Sequence, residues 1–300
     1  MRRMSTVHLH FMARFAAIVL LLAPQIAAAL ELKPFKDDLF AYPGLLETRD
    51  NGDWIKVDYR KERDLYQRDD DPERKVKGKY VARGVAWHQS FETIAFADRS
   101  VDVFDVRKIG RQAFSVIFVH GRGVDRKLGA SDDRFGGNFN RLKNLAYDNG
   151  GLYVAPTIKA FDAAGQDNGV RDVAAVIAYL AKSAPGRPII LACASMGTLI
   201  CKGIARDPQS VAVLGGMILM SGIYDDGFME TPFYTAHLPL FFAHSTDDEV
   251  YKATDQQALY DKLHAKGYPT RFVLFNTGSH GTPLRMLDWR DTLDWFLKRT

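Results

Sequence analysis

The sequence has 300 residues, 47% hydrophobic and 25% charged, a balance that supports a substantial buried core. Its formal charge of +4 includes Arg2, Arg3 and Arg14; without the first 29 residues, which hold no acid, 37 basic residues face 36 acidic ones, a net of +1. A near-neutral chain has no electrostatic basis for binding nucleic acid, and no repeat appears at a period of 20–50 residues.

The first elements in chain order are those of an export signal. Basic residues up to Arg14 precede an apolar stretch, Phe15 to Ala23, and then Ala27-Ala28-Ala29. Small residues after a short apolar run are what a signal peptidase reads, so residues 1–29 are expected to be removed and the mature chain to begin near Leu30. Met12 is an alternative start, and retention as an N-terminal anchor is the alternative fate. The apolar run is short for a membrane span, and no later segment is a candidate. The expected location is therefore secreted or periplasmic, with no stable membrane span after cleavage.

Residues 30–112 are polar and mixed, with strand-like pieces at 54–59, 80–87 and 100–106. The charged stretch from Arg60 to Lys79 reads as a solvated loop; its Asp69-Asp70-Asp71 lacks the ligand spacing of a calcium loop. From residue 113 short apolar runs alternate with helical patterns. The runs are 114–119, 152–156, 189–192, 216–220, 238–243 and 271–275. The helical stretches are 138–148, 170–183, 196–206, 254–266 and 283–298. In the second of these, Val173, Val176, Ile177 and Leu180 share one face. Apolar runs without alternation fit strands buried on both faces of a parallel sheet. Strand and helix in alternation predict an α/β class, a mainly parallel twisted sheet with helices on both faces. The N-terminal strands are expected to add an antiparallel edge, giving one domain over 30–300, with edge strands and loops in 30–112 and the core in 113–300.

Ligands bind at the carboxyl ends of such strands, so the residues just after each strand carry the chemistry. After 189–192 comes Cys193-Ala194-Ser195-Met196-Gly197 and a helix. A serine on a sharp strand-to-helix turn is held with its hydroxyl exposed, and small residues on either side relieve crowding. The helix N-terminus favours negative charge developing there; capping the helix is the plainer alternative for Ser195. After 114–119 comes His120-Gly121-Arg122-Gly123, where the backbone amide of Arg122 pairs with that of Met196 as an expected oxyanion hole. His120 reads as a brace for that loop. After 238–243 comes His244-Ser245-Thr246-Asp247-Asp248-Glu249, and after 271–275 the glycine-flanked His280. An acid in the former loop can orient His280. His88, His237, His244 and His264 form no recognisable metal-ligand spacing.

Four such features in this order resemble the α/β-hydrolase superfamily over roughly residues 100–298. The order serine, acid, histidine at 195, 248 and 280 is that family's order, although Cys193 stands where the family's G-x-S-x-G pattern has its first glycine. The resemblance implies a triad at the carboxyl edge of the sheet. With Ser245 at the glycine position, the family's G-x-x-D loop selects Asp248. Asp247 is adjacent, and some relatives place the acid after the preceding strand, where Asp225 and Asp226 lie. The implied activity is serine hydrolysis of a carboxylic ester, small or polymer-borne, through an acyl-enzyme, with no cofactor and no metal. Peptidase or thioesterase chemistry, or a non-catalytic binding protein with the same fold, are the alternatives. The segment from Ser221 to His237 is too short for a full lid, and its Phe228, Phe233 and Tyr234 are candidates for lining an acyl pocket. Cys193 at a strand end and Cys201 two turns into the next helix are expected to lie too far apart to bond, and to serve as small buried hydrophobes.

Overall fold

The computed structural model describes residues 30–299 apart from 109, 111, 160 and 162, and no side chain from 163 to 167. The expected leader lies outside the described residues. The strands are β1 (Leu45–Arg49), β2 (Trp54–Val57), β3 (Asp69–Asp71), β4 (Lys75–Val76), β5 (Gln89–Phe96), β6 (Arg99–Arg107), β7 (Ser115–Val119), β8 (Leu152–Pro156), β9 (Ile189–Ala194), β10 (Leu214–Met220), β11 (Leu240–Ser245) and β12 (Thr270–Phe275). Ten of them form one sheet in the order β1-β2-β12-β11-β10-β9-β7-β8-β6-β5, and β3 and β4 pair separately. The run from β8 to β2 is parallel throughout; β1, β6 and β5 pair antiparallel at the two edges.

Hydrophobicity without alternation is explained by burial on both faces: every residue of β7, β8, β9, β10 and β11 is buried. Ile117 and Val119 pack on one side with α2 (Ala163–Ser183), α3 (Gly197–Ile204) and α4 (Ala253–His264). Val116 and Phe118 pack on the other side with α1 (Asn138–Asp148) and α5 (Trp289–Leu297). The helical pattern expected over 283–298 is broken between Met286 and Trp289, because the Asp288 carboxylate accepts the amides of Arg290 and Asp291 and starts a new helix.

The N-terminal segment departs from its expected form in three ways. Its strands do not share an edge: β1 and β2 lie at one side of the sheet, β5 and β6 at the other. The piece at 80–87 is not a strand; 3-10 turns occupy Gly78–Tyr80 and Gly84–His88, with Val81 and Val85 buried at a helical spacing of four. The charged stretch is not simply a solvated loop either. Asp69 is buried and receives both Arg285 guanidinium nitrogens, at 2.9 and 2.6 Å, and Arg68 donates to the Gly136 carbonyl at 2.8 Å. Buried charges persist only when paired and hydrogen-bonded, so these side chains clamp the segment onto the loops beside the sheet's carboxyl edge.

Candidate active site

β7 is followed by β8 on one side and, after α2, by β9 on the other. The order in which strands are added to the sheet thus changes side between β7 and β9, and the carboxyl ends of these two parallel strands flank a crevice. The loop Gly121–Gly123 leaves one strand there and Ser195 leaves the other.

Ser195 sits at a φ of 53°, the left-handed region that non-glycine residues seldom adopt. The surroundings over-determine this conformation. The Ser195 amide donates to the Met220 carbonyl of β10 at 2.9 Å. The Thr198 hydroxyl donates to the Ser195 carbonyl at 2.6 Å and accepts the Ile223 amide at 3.0 Å. Two glycines are required by close approach. A Cβ on Gly197 would lie 2.6 Å from the carbonyl oxygens of Val119 and His120, and one on Gly121 would lie 2.8 Å from the Ser195 Cβ.

Cys193, where a glycine is usual, bonds to Cys201 with a Cα separation of 6.3 Å. The expectation that the two are too far apart is therefore wrong. Helix α3 turns back along β9 directly after the elbow, and Gly197 lets it lie close, so Cys201 faces the strand it follows. Both cysteines are buried, and the bridge encloses the serine.

The side chains expected to act together are in contact. The Ser195 Oγ lies 2.8 Å from the His280 Nε2. The His280 Nδ1 lies 2.9 and 2.8 Å from the two Asp248 oxygens. Asp248 also accepts the amides of Val250 at 2.9 Å and Tyr251 at 3.0 Å, and its side chain is fully buried. Burial alone raises its pKa, but the bonds from His280, Tyr251 and Val250 outweigh burial and hold it at about 2. The other acids face elsewhere. Asp247 accepts the Thr246 hydroxyl at 2.7 Å, Asp225 is paired with Arg206 at 2.7 Å and Lys202 at 3.3 Å, and Asp226 is exposed.

The backbone amides of Arg122 and Met196 accompany this arrangement; among the described residues neither donates to a protein acceptor. His120 is the brace expected of it. Its Nδ1 lies 2.7 Å from the Gly121 carbonyl, and its Nε2 accepts the Ile158 amide at 3.0 Å. Nε2 as acceptor leaves the proton on Nδ1, so His120 donates to Gly121. In a trans peptide the C=O and N–H point opposite ways. Fixing the Gly121 carbonyl therefore fixes the direction of the Arg122 N–H.

A pocket of about 170 Å³ opens beside Ser195 and His280. Its apolar walls are Val124, Leu128, Phe135, Met220, Pro283 and Leu284. Sequence reasoning missed all six, and also Ser221, whose hydroxyl donates to the His280 carbonyl at 2.8 Å. Phe228, Phe233 and Tyr234 do not line this pocket. Phe228 and Phe233 are core residues, and Tyr234 stacks on Tyr268 at 5.0 Å. The reason is topological: the chain from β10 must return to the amino end of β11. Its aromatics pack along α3 and near Leu238, away from the carboxyl edge. Among the described residues no cluster of His, Cys, Asp or Glu is arranged to hold a metal ion, and no helix is long and apolar enough to cross a membrane.

No family model and no curated protein matches the sequence. Among solved structures, the chain is similar to an esterase from Pyrococcus furiosus, with TM-score 0.51 and 17% identity over 75% of this chain and 97% of the other. It is also similar to a thermostable esterase, with TM-score 0.55 and 18% identity over 72% and 64%. A third likeness is to an Agrobacterium tumefaciens protein described as a candidate α/β-hydrolase, with TM-score 0.53 and 14% identity over 70% and 95%. At such identities the likeness is one of fold: the chain has the α/β-hydrolase fold, with a mostly parallel sheet and antiparallel edge strands.

Proposed function

We propose that the protein is an exported serine hydrolase that cleaves a carboxylic ester with a short acyl group. The observation that carries this reading is the continuous contact from the buried Asp248 through His280 to the Ser195 hydroxyl. In this mechanism His280 Nε2 takes the Ser195 proton as Oγ attacks the ester carbonyl carbon. Asp248 holds the imidazole with its proton on Nδ1 and stabilises the imidazolium that forms. The amides of Met196 and Arg122 receive the oxyanion, aided by the N-terminus of α3. His280 returns the proton to the leaving alcohol, and water then releases the acid by the same route. The small apolar pocket supports a short acyl chain. Export is supported by the sequence of the first 29 residues and, independently, by the Cys193–Cys201 disulfide, since such bonds persist in oxidising compartments.

A fluorophosphonate probe and a series of nitrophenyl esters, amides and thioesters test the reading together. The wild type is expected to be labelled and to prefer short-chain esters. Ser195→Ala is expected to lose labelling and roughly 10⁶-fold in kcat, and Asp248→Asn roughly 10⁴-fold. Hydrolysis retained in clean Ser195→Ala protein overturns the reading; preference for amides or thioesters transfers it to a peptidase or thioesterase.

A further inference from the structure

We propose that the substrate carries an anionic group, a carboxylate or phosphate, on the part that extends out of the Ser195 pocket, and that Arg122, Lys127 and Arg134 recognise it. The inference rests on the ester-hydrolase reading and deepens it.

An open cleft of about 720 Å³ adjoins the catalytic pocket, and the two share Val124 and Leu128 as a common wall. Lys127 and Arg134 line the cleft, while Arg122 stands at the catalytic end. All three are exposed. Among the described residues none of the three has a carboxylate partner, whereas neighbouring cations are engaged. Arg83 pairs with Asp133 at 3.0 Å, Lys143 with Asp132 at 2.6 Å, and Arg285 with Asp69 at 2.6 Å. Arg126 donates to the carbonyls of Glu92 and Val103 at 3.1 and 3.3 Å. The lining holds one acid, Asp125, and one of its oxygens accepts the Lys127 amide at 2.7 Å. Lys127 and Arg134, neither with a carboxylate partner, against the single carboxylate of Asp125 leave the cleft lining net positive, and Arg122 adds a third cation at its catalytic end.

A cleft walled by one sign of charge focuses field lines and raises the local concentration of an oppositely charged ligand. Guanidinium groups also match the geometry of carboxylate and phosphate. Phe91, 55% exposed on the same cleft, supplies an apolar surface for the linker between the anion and the ester. An uncharged ester makes no ionic contact with any of the three.

A matched set of esters tests this on the whole mature protein: hexyl butanoate, the butanoate ester of 6-hydroxyhexanoate, 6-phosphohexyl butanoate, and monoethyl hexanedioate with the anion on the acyl side. At low salt at least one anionic ester is expected to exceed hexyl butanoate in kcat/KM by roughly tenfold, the scale of two or three half-exposed charge contacts. The comparison of carboxylate and phosphate identifies the anion. The advantage should fall toward unity near 1 M salt, where the Debye length is about 3 Å. The double variant Lys127→Gln, Arg134→Gln, which leaves only Arg122, should remove most of the anionic advantage in kcat/KM, mainly through KM. Hydrolysis of all four esters with no anionic preference, or a preference that survives both salt and the double variant, overturns the inference and leaves the hydrolase reading intact. Absence of all hydrolysis together with absence of fluorophosphonate labelling overturns both.

Discussion

His120 lies outside the proposed relay but, on that proposal, positions one of its oxyanion donors. It sits at the end of β7, buried, with both ring nitrogens used: one donates to the Gly121 carbonyl, the other accepts the Ile158 amide. Its effect on chemistry passes through one peptide plane, since the Gly121–Arg122 unit carries the carbonyl it holds and the amide proposed for the oxyanion. His120→Phe keeps volume and removes both bonds. Deleting one oxyanion donor outright costs about 10²–10³-fold in kcat; a loosened donor costs less. Roughly a 10–100-fold loss in kcat with little change in KM is expected in steady-state kinetics. A rise in KM alone would mean that His120 serves substrate binding instead. At this scale the contact of Ser195, His280 and Asp248 was legible in the sequence, because each follows a recognisable strand. The pocket walls were not. Val124 comes from a loop, Phe135 from a 3-10 turn and Leu284 from the short helix Thr282–Met286, which the distant pair of Asp69 with Arg285 ties to the N-terminal segment, and no local pattern encodes that meeting.

At the scale of elements, the six central strands and the helix cores were legible because burial on both faces leaves uninterrupted apolar runs, and α1 was read to its ends. The edge strands were harder. β5 is an edge with one face on α2 and one in solvent, so its pattern is diluted; its turn at Ala97-Asp98 carries none of the usual glycine signals, although Ala97 adopts a φ of 51°. The elbow was misjudged in one respect, the disulfide, since spacing along a straight helix does not reveal a helix that folds back on its own strand. The bridge closes a short loop containing Ser195, and closure of so short a loop contributes about 2–3 kcal/mol in the chain-entropy account. Cys193→Ala with Cys201→Ala is therefore expected to lose about that much in urea unfolding. Because the enclosed serine holds a left-handed conformation, kcat should also fall while the activity of the folded fraction is counted separately by probe titration. Unchanged kcat per labelled site would show that Thr198 and the two glycines suffice to hold the elbow, and that the bridge serves stability alone.

At the scale of the whole molecule, buried ionisable groups set how stability depends on pH. Burial lowers the pKa of His120, and it lowers that of His244 against the pull of the Asp248 carboxylate. Both rings are therefore kept neutral in the folded state, while in the unfolded chain they titrate near the ordinary value of about 6.5. Below that pH the unfolded state binds more protons than the folded one, so stability falls as pH falls, by at most about 1.4 kcal/mol per pH unit for each histidine. Asp248 acts with the same sign at lower pH: its folded pKa of about 2 against a usual 3.8 gives stability that is complete above the latter and lost as pH drops through the former. Asp105, Asp291 and Asp294 oppose it, since burial raises each of them and their folded forms bind protons first. The histidine effect centres on the ordinary imidazole value and is read between roughly pH 7.5 and 5.5. Urea unfolding across that window should show declining stability below about pH 6.5, and His120→Phe, which removes one of the two titrating rings, should reduce the slope by up to half. A slope left unchanged by His120→Phe would mean that His120 is protonated in the folded protein as readily as in the unfolded chain, which is incompatible with its Nε2 accepting the Ile158 amide.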